Sequence, residues 1–337
     1  MTKRVTGHDV ARVAGVTQAT VSRALRNLPG TAPETRNRVL QAAAKLAYIP
    51  SDNARSLSNA RTRRVAVVSD ALTNPYYPQL VEPIRRHLAE HALQMVLVTE
   101  TGDADGGRVG LEALADGSYD GVILTTTTRR STLPRDLTER AIPHVLVNRV
   151  LDVPESPGCT VDNAGGMAQV ADLLGRLGHQ RVAAVHGPTD TSTGRERAVS
   201  LRAGLRRHGL ALPRAMLRQS AFDHDSAMAA AASLLKERDR PTVIVGANDV
   251  IGLGILSAAR AARIRVPHDL TVTGFDDIPM AGWPLVGLTT VRCDLNELAR
   301  RSVVLLTRQI AREPVQAATL RIPVSLVERG THGPVLG

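Results

Sequence analysis

The first 25 residues show two short helical patterns separated by a tight turn. Apolar residues of TGHDVARVAG recur at helical spacing and stop at Gly15. A second pattern begins directly afterwards, where Thr17 can cap a helix that turns Val21, Ala24 and Leu25 inward. Two helices joined by a Gly-Val turn have the spacing of a helix-turn-helix.

The outward face of the second helix and a third helical pattern complete this predicted head. The third pattern, Glu34 to Ala47, is expected to turn an apolar face inward and close a three-helix core; that face is Val39, Leu40, Ala43 and Leu46. The outward face of the second helix, the surface that such motifs lay in the major groove, carries Gln18, Ala19, Ser22 and Arg23. An arginine there can read guanine and a glutamine adenine, whereas Ala19 can only pack against a thymine methyl.

Residues 51–64, SDNARSLSNARTRR, read as a linker between the head and the rest of the chain. A helical stretch of about eight residues lies between polar and basic ones. A helix that short is marginal in water, so it is expected to order only when it packs against something.

From residue 64 onward, apolar runs alternate with longer helical patterns. The runs are VAVVS, QMVLVT, GVILT, HVLVN, RVAAVH, TVIVG and LTVTGF. Continuous runs rich in Val, Ile and Leu are typical of strands buried on both faces, so we expect two doubly wound parallel sheets wrapped by helices. The predicted fold class is an α-helical head followed by an α/β body with two lobes.

The charge is concentrated in the head. Residues 1–64 hold twelve Lys or Arg against three Asp or Glu, a net charge of +9. The other 273 residues hold 30 basic and 29 acidic residues, a net charge of +1. A neutral body with a basic head is typical of a protein that binds a polyanion with one end.

Composition argues against several other classes. The start of the chain, MTKRVTGHDV, has no apolar signal region, and no stretch approaches the roughly 18 apolar residues of a membrane span, so we expect a soluble, cytoplasmic protein without membrane contact. Cys159 and Cys293 are the only cysteines and lack ligand spacing, so neither a zinc site nor a disulfide is expected. His87 and His91 have no third ligand nearby. No metal or cofactor is predicted.

Three separated motifs resemble the lactose-repressor (LacI/GalR) family of bacterial regulators. They are DVARVAGVTQATVSRAL, APETRNRVLQAAAKLAYIP and NARSL, in that order and at that spacing. The resemblance implies operator contacts by Thr17, Gln18, Ala19, Thr20, Ser22 and Arg23. It also implies that hinge helices from two subunits pair in the minor groove, where Leu57 wedges between base pairs with Ala54 beside it.

The same resemblance implies that the body is similar to periplasmic sugar-binding proteins, whose chain crosses three times between two lobes. The crossings are expected near Asp162, Arg292 and Ile322. The predicted domains are a helix-turn-helix domain (1–50), a hinge (51–63) and an effector-binding and dimerisation domain (64–337). Within the last, the N-lobe takes about 64–162 and 293–322, and the C-lobe about 163–292 and 323–337.

Polar residues after the strands are candidates for a ligand site, because open α/β sheets bind ligands at the carboxyl ends of their strands. Asn74 and Tyr76 follow the first run in a segment that matches the family's SNPFF, and Phe222 stands where the family has a stacking aromatic residue. The predicted effector contacts are Asn74, Tyr76, Thr126, Arg149, Arg197, Phe222, Asn248 and Asp276. By the resemblance, Arg197, Asn248 and Asp276 are the strongest of these. Such a set suits a sugar, and a purine would also stack on Phe222.

An enzyme with a basic tail is the alternative from another class. Among the three lysines only Lys236 lies in the body, and its SxxK match has no partner motifs. The pair Gly252 and Gly254 lacks the third glycine of a dinucleotide loop. No catalytic residue is therefore predicted.

These observations favour a regulator, expected to be a repressor, that binds a near-palindromic operator as a homodimer. A small-molecule effector would change operator affinity by rotating the lobes, and the coupling would run through the body dimer. The C-terminal RGTHGPVLG has no leucine heptads, so a dimer is expected rather than a tetramer. Whether the effector releases DNA or promotes its binding is left open by the sequence.

Overall fold

The computed structural model describes residues 5–25, 27–48, 61–70, 72–99 and 110–334. The chain divides into one unit within residues 1–62 and a second within residues 63–337. We call these the head and the body. The predicted hinge contacts Ala54 and Leu57 lie outside the described residues.

The described part of the head contains the three helices α1 (Gly7–Ala14), α2 (Gln18–Leu25) and α3 (Pro33–Lys45). A capping box between Thr6 and Asp9 begins α1, and Gly15 ends it with φ of 64°. The Oγ atom of Thr17 accepts a hydrogen bond from the backbone N–H of Thr20 at 3.2 Å. The predicted N-cap of α2 is therefore confirmed.

One small core holds the three helices together. Its buried members are Val10, Ala11, Ala14, Val21, Ala24, Val39, Ala42 and Ala43. The prediction that Leu40 faces this core is wrong, because 43% of Leu40 is exposed. Residues 39, 42, 43 and 46 follow the helical repeat and share a face, whereas residue 40 lies about 100° away from residue 39 around the axis.

The body alternates helices and strands, as the hydrophobic pattern predicts. Its strands are β1 (Arg64–Ser69), β2 (Gln94–Thr99), β3 (Gly121–Leu124), β4 (His144–Val147), β5 (Gly158–Val161), β6 (Val182–His186), β7 (Leu217–Gln219), β8 (Val243–Gly246), β9 (Thr271–Thr273), β10 (Thr290–Cys293), β11 (Thr319–Ile322) and β12 (Val324–Val327). Its helices are α4 (Tyr76–Glu90), α5 (Leu111–Ala115), α6 (Leu133–Glu139), α7 (Asn163–Arg176), α8 (Ser192–Arg207), α9 (His224–Leu235), α10 (Asp249–Ala261) and α11 (Leu295–Ile310).

Two parallel sheets form the body. One has the order β11-β5-β4-β3-β1-β2 and the other β7-β6-β8-β9, and all neighbours within both sheets are parallel. We call the six-stranded sheet with the helices packed on it the N-lobe, and the four-stranded sheet with its helices the C-lobe. The predicted fold class is confirmed. Strands β10 and β12 add an antiparallel pair that the pattern did not predict.

Strand β2 differs from the expectation of burial on both faces. The apolar residues of QMVLVT are only half-buried, because β2 is the outer strand of the six-stranded sheet. The inner strands β3 and β4 are buried throughout.

The chain passes between the lobes at three junctions. They lie between β5 and α7, between β10 and α11, and between β11 and β12. Two of these junctions are tied together, since the backbone N–H of Asp162 donates to the carbonyl of Ile322 at 2.8 Å. The segments after β1 and β4 in the N-lobe and after β6, β7, β8 and β9 in the C-lobe supply the residues of the cleft described below. No helix among the described residues is long and apolar enough to cross a membrane.

Candidate functional site

Helix α2 presents the side chains that the sequence predicts to contact DNA. Thr17, Gln18, Ala19 and Arg23 are exposed, and Thr20 and Ser22 are partly exposed. The opposite face of α2 is held in the head core by Val21 and Ala24. The arrangement leaves a polar face of a fixed helix open to a partner.

Arg23 is held by the loop that follows its own helix. Its Nη2 atom donates to the backbone carbonyl of Pro29 at 3.0 Å. A side chain at Gly30, where φ is 91°, would come within 3.0 Å of that guanidinium. Three further N–H groups at the end of the guanidinium can still donate elsewhere, so this contact orients Arg23 without using up its donors.

The body has a cleft between the two lobes into which seven of the eight predicted effector residues fall. They are Asn74, Tyr76, Arg149, Arg197, Phe222, Asn248 and Asp276. Three further residues line the same cleft: Tyr77, Asn148 and Thr193. Asn148 directly follows strand β4 in HVLVNR, and Thr193 lies in the first turn of α8 in STGRERA. These two segments also hold Arg149 and Arg197, so the position of Asn148 and Thr193 in the sequence indicates them as well. Tyr77 directly follows Tyr76 in the sequence. Only the packing of α4 shows that both tyrosine side chains reach the cleft.

Thr126 is placed elsewhere. It lines a separate cavity of about 410 Å³ in the N-lobe, together with Thr127, Thr128 and Ser131. Its strand, β3, does end at the same sheet edge as β1 and β4, which is why the sequence groups it with the others. The contact of Thr126 with an effector stays a prediction.

Arg197 is a buried guanidinium at the centre of the cleft, with 3% of its side chain exposed. Its Nε donates to Asn163 Oδ1 at 2.8 Å, its Nη1 to the carbonyl of Ala247 at 2.9 Å, and its Nη2 to Asp276 Oδ1 at 3.0 Å. The ring of Phe275 lies 3.7 Å below its central carbon. These bonds use three of five N–H groups, so Nη1 and Nη2 each keep one for a ligand.

Asp276 is the acceptor opposite Arg197. Its backbone φ angle is 115°, a value that residues other than glycine rarely adopt. Burial raises the pKa of its carboxyl to about 6, although Arg197 opposes this rise. Near pH 7 the carboxylate is charged and can accept hydrogen bonds from ligand hydroxyls.

Asn248 and Asp249 hold the start of α10 at the edge of the cleft. Asn248 caps the helix, because its Oδ1 accepts from the backbone N–H of Ile251 at 2.9 Å. The cap uses the oxygen and leaves the amide nitrogen as a donor. Burial raises the pKa of Asp249 well above its usual value, and its carboxyl binds Thr290 and the backbone N–H of Ile278. Asp249 therefore supports the Asp276 loop rather than the ligand.

Arg149 and two tyrosine rings from the N-lobe and the ring of Phe222 from the C-lobe close the cleft. The guanidinium of Arg149 lies 5.7 Å from the ring centre of Phe222 and 6.0 Å from that of Tyr77. Its buried Nε has no hydrogen-bond partner among the described residues. The Nδ2 of Asn74 donates to the carbonyl of Phe222 at 3.4 Å, a contact between the two lobes. Tyr76 donates its hydroxyl to Asn148 Oδ1 at 3.0 Å.

The cleft is nearly filled by these side chains. Its cavity measures about 20 Å³, which is close to the space of a single water molecule. Sites for small organic ligands occupy roughly 300–1,000 Å³. A sugar can therefore enter only when the lobes separate or when Arg149 and Phe222 move aside.

The residues that could serve a metal or an enzyme also lie in the body. Among the described residues there is no group of three or more His, Cys, Asp or Glu that could hold a metal. His87 binds Glu90 and Asn296 through its two ring nitrogens. Lys236 lies exposed at the end of α9.

The fold and its two sites together define a class: a helix-turn-helix DNA-binding regulator whose body resembles a two-lobed binding protein. Comparison with known proteins gives the family. Residues 6–51 match the model described as bacterial regulatory proteins, lacI family, and residues 171–332 match the periplasmic binding protein-like domain. The chain is 33% identical to the HTH-type transcriptional regulator CelR of Thermobifida fusca, over 97% of this chain and 98% of that protein. This protein belongs to the lacI family of bacterial transcriptional regulators.

Further relatives and solved structures agree. The ribose operon repressor of Escherichia coli K12 is 30% identical over 96% of this chain and 98% of that protein. A CelR–cellobiose complex matches with a TM-score of 0.75 and 31% identity, over 97% of this chain and all of that one. A lac repressor bound to ONPG matches with a TM-score of 0.83 and 26% identity, over 98% and 100%. The interpretation as a regulator rather than an enzyme is confirmed by these relatives.

Proposed function

We propose that this protein is a repressor that binds a near-palindromic operator as a homodimer and changes its operator affinity when a sugar binds between the lobes. It would act in the cytoplasm, where the DNA is. The observation that carries the proposal is the pairing of two sites in one chain: an exposed recognition face on the basic head and a polar cleft between the lobes that its own side chains nearly fill. The domain limits proposed from the sequence, 1–50, 51–63 and 64–337, divide these tasks.

In the head, α2 would lie in the major groove with Gln18 and Arg23 toward the bases. Thr17, Ala19, Thr20 and Ser22 would complete the contact, and Leu57 and Ala54 would act in the minor groove. Arg23 is oriented by Pro29, so its guanidinium enters the groove with part of its rotamer freedom already lost. Since a lac repressor dimer bound to operator shares this fold with a TM-score of 0.85, two heads reading two half-sites is the arrangement we infer.

In the body, the effector would lie among the ring of Phe222, the donors of Arg197 and Asn248, and the carboxylate of Asp276. Paired donors and a carboxylate around a flat apolar face suit neighbouring hydroxyls on a sugar ring. One similar regulator is solved as a complex with cellobiose, and another relative is named a repressor of the ribose operon; both compounds are sugars. A purine would stack on the same ring, and a binding screen should include both.

The homodimer would use an apolar surface on the C-lobe that the described residues leave exposed. We call it the α10 surface; its apolar members are Leu253, Leu256, Met280, Trp283, Leu285 and Val286. Trp283 is 55% exposed and Leu285 fully exposed. Large apolar side chains gathered at one place on a surface mark a contact with another protein, and a second copy is the partner that the proposed operator symmetry requires.

The proposal is tested by DNA selection. Full-length protein is incubated with a genomic fragment library at one stated salt concentration, because affinity for DNA depends on salt. We expect recovery of one short palindrome. The Arg23→Ala variant should bind that palindrome about 5- to 150-fold more weakly and lose its preference at one base position, since a bidentate base contact contributes about 1–3 kcal/mol.

Arg12→Ala is the matched control. Arg12 lies on α1, is exposed and pairs with Asp9 at 2.7 Å, so the variant removes the same charge from the head without touching the recognition face. It should lower affinity for all fragments equally. Equal behaviour of the two variants would show that the head binds DNA only by charge and would overturn the proposal.

A further inference from the structure

An ion pair connects the lobes next to the chain junctions. Arg321 on β11 belongs to the N-lobe, and Glu196 on α8 belongs to the C-lobe. The Nη1 and Nη2 atoms of Arg321 donate to Glu196 Oε2 and Oε1 at 2.9 and 2.8 Å. A bidentate pair of this kind fixes the direction as well as the distance between its partners.

Glu196 is also tied to the cleft. Asn163, which is fully buried, donates its Nδ2 to Glu196 Oε2 at 3.1 Å and accepts from Arg197 Nε at 2.8 Å through its Oδ1. An amide has one accepting and one donating end, so the carboxylate at Glu196 decides that the oxygen of Asn163 faces Arg197. The bonds therefore run without a break from Arg321 to Arg197 and on to Asp276.

The charges along this path support its stability. Burial raises the pKa of Glu196, whereas the hydrogen bonds from Arg321 and Asn163 lower it. The lowering is larger, so the pKa of Glu196 lies below its usual value. The carboxylate is thus charged at neutral pH. The side chain of Glu196 is 27% exposed and that of Arg321 is 44% exposed, so the pair lies at the rim of the lobe contact and not in the core.

We propose that Arg321 and Glu196 form a latch between the lobes, and that Asn163 links this latch to Arg197 in the effector cleft. Separation of the lobes stretches the pair, and the loss of Glu196 as an acceptor frees the Asn163 amide that orients Arg197. A ligand that rearranges the Arg197 guanidinium acts on the latch by the same path. Glu196 and Asn163 are positioning residues in this arrangement. The part of this inference that concerns the cleft rests on the proposed effector function, whereas the ion pair between the lobes does not.

Two backbone amides report directly on lobe separation. The N–H of Val150 donates to Ser192 Oγ at 3.0 Å, and the N–H of Arg129 donates to the carbonyl of Asp190 at 2.9 Å. Both bonds join the N-lobe to the C-lobe. The N–H of Thr242 donates to the carbonyl of Arg181 at 2.9 Å within the C-lobe and serves as the internal reference.

The test is hydrogen exchange of the full-length protein, read at these three amides without DNA or added ligand. Glu196→Gln and Arg321→Gln should each speed exchange at Val150 and Arg129 about fivefold, and the double variant should do no more than either one. Exchange at Thr242 should stay unchanged. Arg197→Lys, which keeps the charge but loses the bond to Asn163, should also speed exchange at the two reporting amides.

A matched control separates the latch from ordinary surface charge. Arg176 on α7 pairs with Glu328, just after β12, at 3.0 Å; their side chains are 64% and 45% exposed and both lie in the C-lobe, so Arg176→Gln should leave all three amides unchanged. Unchanged exchange at Val150 and Arg129 in Glu196→Gln would overturn the latch. Unchanged exchange in Arg197→Lys alone would overturn its link to the cleft. Since the experiment contains no ligand, neither outcome depends on whether the effector is a sugar.

Discussion

Single residues in the cleft adopt conformations that only a surrounding structure can hold. Asn148, Phe222, Asp276 and Asp277 all have positive φ, with values of 69°, 61°, 115° and 58°. Such backbone costs of order 1–3 kcal/mol per residue, and it persists where neighbouring contacts over-determine it. Here the side chains of these residues reach the cleft or its supporting loop, so strain and site coincide.

The pKa of Asp276 makes effector binding dependent on pH. We expect a ligand hydroxyl to donate to the ionised Asp276 carboxylate, and this ionised form is lost as the pH falls through about 6. Below that pH, affinity for the effector found by the screen should fall by up to about tenfold per pH unit. Because its folded pKa is raised, Asp276 affects unfolding in the opposite sense: its contribution to stability is present at low pH and is lost as the pH rises through about 6.

Isothermal titration between pH 5 and 8 measures this profile, and Asp276→Asn should flatten it. Burial and Arg202 lower the pKa of the nearby C-lobe His186 to about 4, outside the window. A wild-type profile without slope would mean that Asp276 accepts no hydrogen bond from the ligand.

At the scale of elements, the parallel sheets place cleft residues by a simple rule. The carboxyl ends of β1, β4, β6 and β8 meet at the gap between the lobes, and the first turns of α4, α8 and α10 begin there. Helix starts need caps, so one side chain such as Asn248 can serve both the helix and a ligand. These two roles can be separated by mutation.

Asn248→Ser keeps an oxygen that can cap α10 but removes the amide donor, whereas Asn248→Ala removes both. We expect Asn248→Ala to lower the free energy of unfolding by about 1 kcal/mol and Asn248→Ser to change it by only a few tenths. Both should weaken effector binding to a similar degree. Denaturant unfolding and titration of the same preparations check this, and intact affinity in Asn248→Ser would remove Asn248 from the site.

At the scale of the whole molecule, regulation depends on a dimer that keeps two heads together. Leu285 is fully exposed on the α10 surface. The substitution Leu285→Glu should separate the two subunits, because burying an unpaired charge in the subunit interface is strongly unfavourable. Operator affinity should then fall steeply, since each half-site would be bound alone.

Val153→Glu is the control for this change. Val153 is also apolar and 67% exposed, but it lies in the N-lobe away from the α10 surface. Analytical ultracentrifugation should show a monomer for Leu285→Glu and a dimer for Val153→Glu. A dimer in both variants would place the subunit contact elsewhere.

The amino-acid sequence by itself determined the head, the fold class and most of the cleft residues. Helical spacing, the cap at Thr17 and the stop at Gly15 are local signals, and the buried apolar strands are local runs that need no distant partner to be recognised. Strand ends pointed to Asn248 and Asp276 for the same reason.

Tertiary structure alone decided the features that depend on distant neighbours. Strand β2 is half-buried because it lies at the edge of its sheet. The packing also decided that Thr126 lines a separate cavity. The three bonds of Arg197 and the Arg321–Glu196 pair connect residues up to 125 positions apart in the sequence. Such contacts follow from how sheets and helices pack, and no periodicity along the chain encodes which side chains will meet.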